Sequence, residues 1–411
     1  MNPSLLLPGQ AIFQEIGKRF PLRVVLLAIL LWPALDAGIR DPMKGQRLFV
    51  TKRCADCHAV RGNGGRIGPD LGRTQAKGSF YELTAAMWNH TQVMGEKMEE
   101  ARLVRPAFAT EELGDLLAFL TFLNYFDEPG NPKAGRALFS QKHCIQCHRV
   151  GHEGGTSAPP LDRIPRGTPP LQLARDLWNH GPVMVPLMRS KGLDVPSFNQ
   201  NEILNLFAFL RSQGPRQKTP DFRSPGDPLK GKVLFAAKGC AQCHAFYGKG
   251  RAALGPDLGS ADLRGGVTVL AGRMWNHWRG MTTAMQALGM ATPKFQGQEM
   301  ADLFAYIFVT RYDGPPADLA KGRTAYIEKG CSTCHGMDGR GGIGPALRNV
   351  TTGESREQVA QRMWNHAPQM GATMGARQIP WPRFEASELA GLLAFLSEEW
   401  KGQAVPPPKA Q

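Results

Sequence analysis

The sequence predicts an all-α protein: four tandem helical domains behind an N-terminal leader. Three observations predict it. All eight cysteines of the 411-residue chain fall in four copies of one pentapeptide, Cys54-Ala-Asp-Cys57-His58, Cys144-Ile-Gln-Cys147-His148, Cys240-Ala-Gln-Cys243-His244 and Cys331-Ser-Thr-Cys334-His335. The copies start 90, 96 and 91 residues apart, and self-similarity at a near-constant period marks a repeated unit. Behind each copy lies an apolar stripe at i, i+3, i+4, i+7, the signature of an amphipathic helix, and no stretch shows a convincing strand period.

The leader comes first. Lys18, Arg19 and Arg23 flank an apolar run from Val24 to Leu35, and small residues stand at Ala34, Ala37 and Gly38. Residues 1–37 therefore read as a secretory signal, with an uncleaved anchor as the alternative. The run is short against the roughly 20 apolar residues that cross a bilayer. Either form exports the body of the chain, which places it in the periplasm, soluble or membrane-anchored, and membrane contact is expected only for the anchored form.

The domains follow at residues 42–126, 132–213, 228–312 and 317–402, with a Pro-rich tail at 403–411. Each opens with a glycine and, four residues on, an aromatic: Gly45/Phe49, Gly135/Phe139, Gly231/Phe235 and Gly322/Tyr326. After the pentapeptide comes Pro-x-Leu: Pro69/Leu71, Pro159/Leu161, Pro256/Leu258 and Pro345/Leu347. A mid-domain landmark, Trp-Asn-His, recurs at Trp88–His90, Trp178–His180, Trp275–His277 and Trp364–His366. Two methionines trail each landmark at four-residue steps. The closing stripe is Leu113/Leu116/Leu117/Leu120 in the first domain and keeps its spacing from Ile203, Met300 and Leu389 in the others. Pro and Gly cluster between the domains, at 127–132, 214–228 and 313–316, as linkers do.

Two thiols two residues apart can form thioethers to both vinyl groups of one haem, with the following histidine held beneath the iron. This pattern reads as c-type haem attachment. It makes Cys54, Cys57, Cys144, Cys147, Cys240, Cys243, Cys331 and Cys334 the attachment thiols, and His58, His148, His244 and His335 the proximal ligands. Zinc ribbons and redox disulfides are the alternatives; zinc needs four converging ligands, and a dithiol has no use for the histidine. A ligating histidine also needs its second ring nitrogen bonded, and the Pro-x-Leu loop offers a carbonyl for it.

Gly plus aromatic, Cys-x-x-Cys-His, Gly-Pro-x-Leu, the mid-domain helix, a methionine and the closing Glu-Leu-x-x-Leu-x-Ala-Phe/Tyr-Leu together resemble the class I cytochrome c domain, four times over residues 42–402. The resemblance implies a small helical fold around one haem c per domain, covalently attached, with His and Met as axial ligands. Family members place that Met five residues after an Asn, which designates Met94, Met184, Met281 and Met370. They also place Pro-x-Phe directly after it. Here Pro106/Phe108, Pro196/Phe198, Pro293/Phe295 and Pro382/Phe384 come twelve residues later. The inserted turn carries Met98, Met188, Met285 and Met374, which stay open as the alternative set. The Trp-Asn-His histidines are a further alternative, giving bis-histidine haems, against a capping role for the His and a packing role over the haem for the Trp.

With 42% hydrophobic and 20% charged residues the chain is globular rather than disordered. Its formal charge of +14 would ordinarily suggest nucleic acid. Residues 1–37 carry three positive and two negative charges, and the propionates of four haems would bring the remainder to about +5. With that residue and no recognisable binding module, nucleic acid is not expected as a partner. Electron relay between a redox donor and an acceptor is the leading function, and no enzymatic activity is required for it. The alternative is a haem-containing subunit of a dehydrogenase or reductase with one catalytic five-coordinate haem, most simply in the first domain. There Thr91-Gln92 stands where the second and fourth domains have a proline two residues after the His, at Pro182 and Pro368. A purely structural array is the third class.

Overall fold

The structure, a computed structural model, describes residues 41–399 apart from 74–77, 124, 126, 128, 200, 217–225, 250–253 and 262–264. The leader, the Pro-rich tail and most of the linker at 214–228 lie outside the described residues. Among the described residues no helix is long and apolar enough to cross a membrane.

Unit 1 comprises α1 (Pro42–Thr51), α2 (Phe80–Asn89), α3 (Thr91–Glu100) and α4 (Glu112–Phe122). Unit 2 comprises α5 (Pro132–Gln141), α6 (Pro170–Ser190) and α7 (Glu202–Gln213). Unit 3 comprises α8 (Pro228–Ala237), α9 (Val267–Asn276), α10 (Trp278–Ala287) and α11 (Glu299–Asp313). Unit 4 comprises α12 (Leu319–Glu328), α13 (Cys331–His335), α14 (Arg348–Thr351), α15 (Arg356–Ala376) and α16 (Ala386–Glu398). The only strands among the described residues are two-residue hairpin arms, 59–60 with 63–64 and 149–150 with 153–154. They are too short to show a strand period in the sequence.

Each unit is built the same way. The first helix starts at an Asp or Asn whose side chain accepts two backbone N–H groups of the first turn: Asp41, Asn131, Asp227 and Asp318. Such caps satisfy donors the helix leaves orphaned. It then crosses the last helix at the opening glycine. A Cβ on Gly45, Gly135, Gly231 or Gly322 would overlap the carbonyl oxygen of Asp115, Asn205, Asp302 or Gly391. The aromatic one turn later meets a ring of the last helix: Phe49–Phe119 and Phe139–Phe209 at 5.7 Å, Phe235–Tyr306 at 5.5 Å, Tyr326–Phe395 at 5.3 Å between centroids. One lysine then ties the ends of the pair: Lys52–Glu112, Lys142–Glu202, Lys238–Glu299 and Lys329–Glu388, at 2.8–3.1 Å.

The four units do not string out in chain order. Their buried side chains form two cores. One joins units 1 and 4, with Trp88, Phe108, Trp364 and Phe384; the other joins units 2 and 3, with Trp178, Phe198, Trp275 and Phe295. The described residues from Asp41 onward nevertheless form one compact body. The carboxylate of Asp127, after unit 1, accepts from the Thr268 N–H at the start of α9. Arg356 of α15 pairs with Asp313 at 2.9 Å and lies over the rings of Phe80, Tyr81 and Tyr312.

Candidate functional site

The turn after the first helix passes through a left-handed residue, Arg53, His143, Gly239 or Gly330, and delivers the first cysteine of each pair into the unit. All eight cysteines are free thiols. Burial pushes Cys54, Cys144, Cys240 and Cys331 up to about 11, so the first thiol of each pair is neutral. No three His, Cys, Asp or Glu side chains cluster as a metal site among the described residues. The zinc alternative therefore lacks converging ligands there.

In every unit the motif histidine is oriented by the Pro-x-Leu loop. His58 Nδ1 bonds the Pro69 carbonyl at 3.0 Å, His148 that of Pro159 at 2.8 Å, His244 that of Pro256 at 3.0 Å and His335 that of Pro345 at 2.9 Å. A carbonyl can only accept, so Nδ1 carries the proton and Nε2 keeps its lone pair. In units 1, 3 and 4 the residue before the proline is a glycine lying close against the imidazole. A Cβ on Gly255 or Gly344 would stand 2.7 or 2.8 Å from the ring of His244 or His335, and one on Gly68 would overlap that of His58. Unit 2 has Ala158 at this place. The loop is pinned by its own carboxylates. Partial burial alone would raise Asp70 and Asp257, but three N–H groups bonded to Asp70 and four bonded to Asp257 hold both below the usual range.

Two cavities, of about 420 and 150 Å³, flank the pentapeptide of unit 4. Both are lined by Cys331, His335, Pro345, His366 and Met370, and the larger also by Tyr326 and Leu396. A slot with two free thiols and an oriented imidazole on its wall fits a covalently attached haem. Met94, Met184, Met281 and Met370 are all half-buried; of the second set Met188 is buried and Met98, Met285 and Met374 are half-buried.

The Trp-Asn-His landmark divides three ways. The tryptophans do not simply pack within their own unit. Trp88 Nε1 donates to the Pro382 carbonyl and Trp364 Nε1 to that of Pro106, at 2.8 and 2.9 Å. Trp178 and Trp275 bond Pro293 and Pro196 the same way, at 2.8 and 2.7 Å. The asparagines complete this latch. Asn89 bonds both N–H and C=O of Phe384, Asn365 those of Phe108, Asn179 those of Phe295, and Asn276 those of Phe198, all at 2.7–3.0 Å. Each pair of units is thus joined isologously, the same elements meeting in both directions. The sequence signal was present in the repeated Pro-x-Phe, whose offset from Trp-Asn is shared by all four units.

The histidines split into two kinds. His90 and His277 are exposed and turn back on their own helix, Nδ1 bonding the carbonyls of Ala86 and Arg273 at 2.6 and 2.8 Å. His180 and His366 are half-buried and face the motif histidines. Burial, with the neighbouring His148 or His335, holds each below the ordinary imidazole range.

A helical unit with a Cys-x-x-Cys-His turn, an oriented imidazole and an apolar slot defines a covalent haem-binding domain. The family described as Cytochrome c matches residues 42–123, 132–213, 229–308 and 319–400, and the chain belongs to the cytochrome c family. It is a multihaem c-type cytochrome of electron transfer. Comparison with curated proteins and with solved structures returns no match.

Proposed function

We propose that this chain is a periplasmic relay that carries electrons between a redox donor and an acceptor through four covalently held haems. The observation that carries the reading is the fourfold His Nδ1 to Pro carbonyl bond beside a free cysteine pair. Each haem supplies reversible one-electron iron chemistry, and the protein supplies burial, orientation and axial ligands. The cysteine pairs would hold each haem through thioether bonds. His58, His148, His244 and His335 would ligate the iron through Nε2, their tautomer fixed by the loop carbonyl. Met94 and Met281 are assigned the distal place in units 1 and 3, where the neighbouring histidine is turned outward. In units 2 and 4, Met184 and Met370 compete for it with a second histidine. The basic and apolar pattern of residues 1–37 supports export.

Purified protein, denatured in alkaline pyridine, is expected to give the spectrum of four thioether-linked haems per chain. Its mass should exceed the bare polypeptide by the same four groups. Fewer than four, or none, overturns the relay as stated. Carbon monoxide binding to the native ferrous protein separates the enzymatic alternative: a relay with every iron six-coordinate resists it, and a five-coordinate haem does not. A residual basic surface would steer an acidic redox partner, so rates of exchange with such a partner should fall as salt rises; rates insensitive to salt exclude steering.

A further inference from the structure

We propose that units 2 and 4 hold their haems between two histidines, His148 with His180 and His335 with His366, whereas units 1 and 3 use His58 and His244 with a methionine. The proposal rests on the reading that the four pentapeptides carry haem. The ring centroids of His148 and His180 are 6.1 Å apart and those of His335 and His366 are 6.3 Å apart. Two imidazoles that share one metal ion have centroids about 6 Å apart, from metal–nitrogen bonds of about 2.0–2.1 Å and a ring radius of about 1.1 Å. The rings are inclined at 63° and 59°, which the axial arrangement permits, since each ring rotates freely about its own bond to the metal.

The hydrogen bonding agrees. His148 and His335 commit Nδ1 to the loop carbonyl and leave Nε2. The imidazole of neither His180 nor His366 makes a hydrogen bond among the described residues, although both residues are half-buried. His366 lines both cavities beside Cys331 and His335. The corresponding groups in units 1 and 3 are committed elsewhere: His90 and His277 are exposed and bonded to their own helices. The backbone separates the two kinds. In units 1 and 3 the mid-domain helix stops at the histidine, which has φ −97° or −88° and ψ 0°. In units 2 and 4, α6 and α15 run unbroken for 21 residues, through Pro182 and Pro368. Met184 and Met370, one turn further along, then fill space beside the site, as methionine does well.

Thioether sulfur raises the reduction potential of a haem relative to imidazole. Each latched pair, 1 with 4 and 2 with 3, therefore couples one higher-potential and one lower-potential haem.

The test uses the intact ferric holoprotein. The far-red charge-transfer band of methionine bound to ferric haem is expected at the intensity of two haems per chain. The near-infrared magnetic circular dichroism of bis-imidazole haem is expected at the intensity of the other two. His180→Ala with His366→Ala should abolish the bis-imidazole signal, and His90→Ala with His277→Ala should leave it unchanged. Methionine intensity equal to four haems overturns the proposal, as does a bis-imidazole signal that survives His180→Ala with His366→Ala. The wild-type count decides the matter if the variants do not fold. The pyridine spectrum of the same sample distinguishes the two failures: four haems with four methionine signals defeats this proposal alone, and absent haem defeats the reading beneath it.

Discussion

Asn365 presents both ends of one amide to a single residue of another unit. Its Oδ1 accepts from the Phe108 N–H at 2.9 Å and its Nδ2 donates to the Phe108 carbonyl at 2.8 Å. The side chain thus stands in for a strand neighbour and satisfies two backbone groups where water is sparse. Asn365→Ala leaves the Phe108 N–H without a partner and its carbonyl with Gln361 Nε2 alone, at 2.7 Å, and an unsatisfied buried group costs roughly 1–3 kcal/mol. Asn365→Ala is therefore expected to lower unfolding stability by about 1–3 kcal/mol, read from denaturant midpoints at unchanged m. Asn365→Asp should be no better, since a carboxylate meets the Phe108 carbonyl with a second acceptor. A variant within a few tenths of a kcal/mol of wild type would mean the latch carries no stability. The Trp-Asn pair was plain in the sequence as a repeated landmark, yet its partner lies 257 residues away. No local rule connects an amide to a backbone at that separation, so the tryptophan read as packing and the asparagine had no role. The bond from each motif histidine to the loop carbonyl was legible, because a ligating imidazole needs its second nitrogen held and proline marks a rigid turn.

Where two helices cross, sequence shows the small residue but not what it touches. Gly231 lets α8 come against the Asp302 carbonyl of α11. Gly231→Ala must push the helices apart or bend one of them, and overpacking of this kind costs about 1–3 kcal/mol; a fall in Tm checks it, and an unchanged Tm would show that the crossing has slack. The same pair of elements carries a pH dependence. Partial burial would raise Glu112, Glu202, Glu299 and Glu388. Their lysine partners, and the N–H groups of Ala109, Asn199, Gln296 and Glu385, instead hold all four below the ordinary 4.5. A carboxyl depressed in the folded state stabilises it above the unfolded pKa, and that contribution is lost as pH falls through the folded value. Replacing Lys52, Lys142, Lys238 and Lys329 by Met should therefore lower Tm near neutrality. The gap to wild type should narrow on acidification from about pH 6 to about pH 3; a gap that holds constant across that range would assign the lysines a packing role only.

In chain order the pairing is nested: the first unit shares a core with the last, and the middle two share the other. The period and the class of each unit were legible, because a haem motif and its helices repeat whatever their neighbours do. The pairing was not, since four similar units carry the same latch and each matches any other; chain connection and the groups outside the latch select the partner. Those groups differ between the pairs. Arg105 lies 3.9 Å over the Trp364 ring and Trp381 stacks on Trp88 at 4.6 Å, whereas Trp278 fills the other interface beside Trp275 at 6.2 Å. This predicts the behaviour of a chain ending at residue 313. Unit 1 then exposes Trp88, Phe108 and the unpaired backbone of residues 106–108, a large apolar face of the kind that seeks a partner. It also holds both halves of the latch, Trp88-Asn89 and Pro106-x-Phe108, so two copies can join through unit 1 in the isologous manner seen within the full chain. Sedimentation velocity should show the shortened chain dimerising with concentration, and Trp88→Ala with Asn89→Ala should return it to monomer. The full chain, with unit 4 in place, should sediment as a monomer at the same concentrations. A shortened chain that stays monomeric and keeps the Tm of the full protein would show that unit 1 has no need of unit 4.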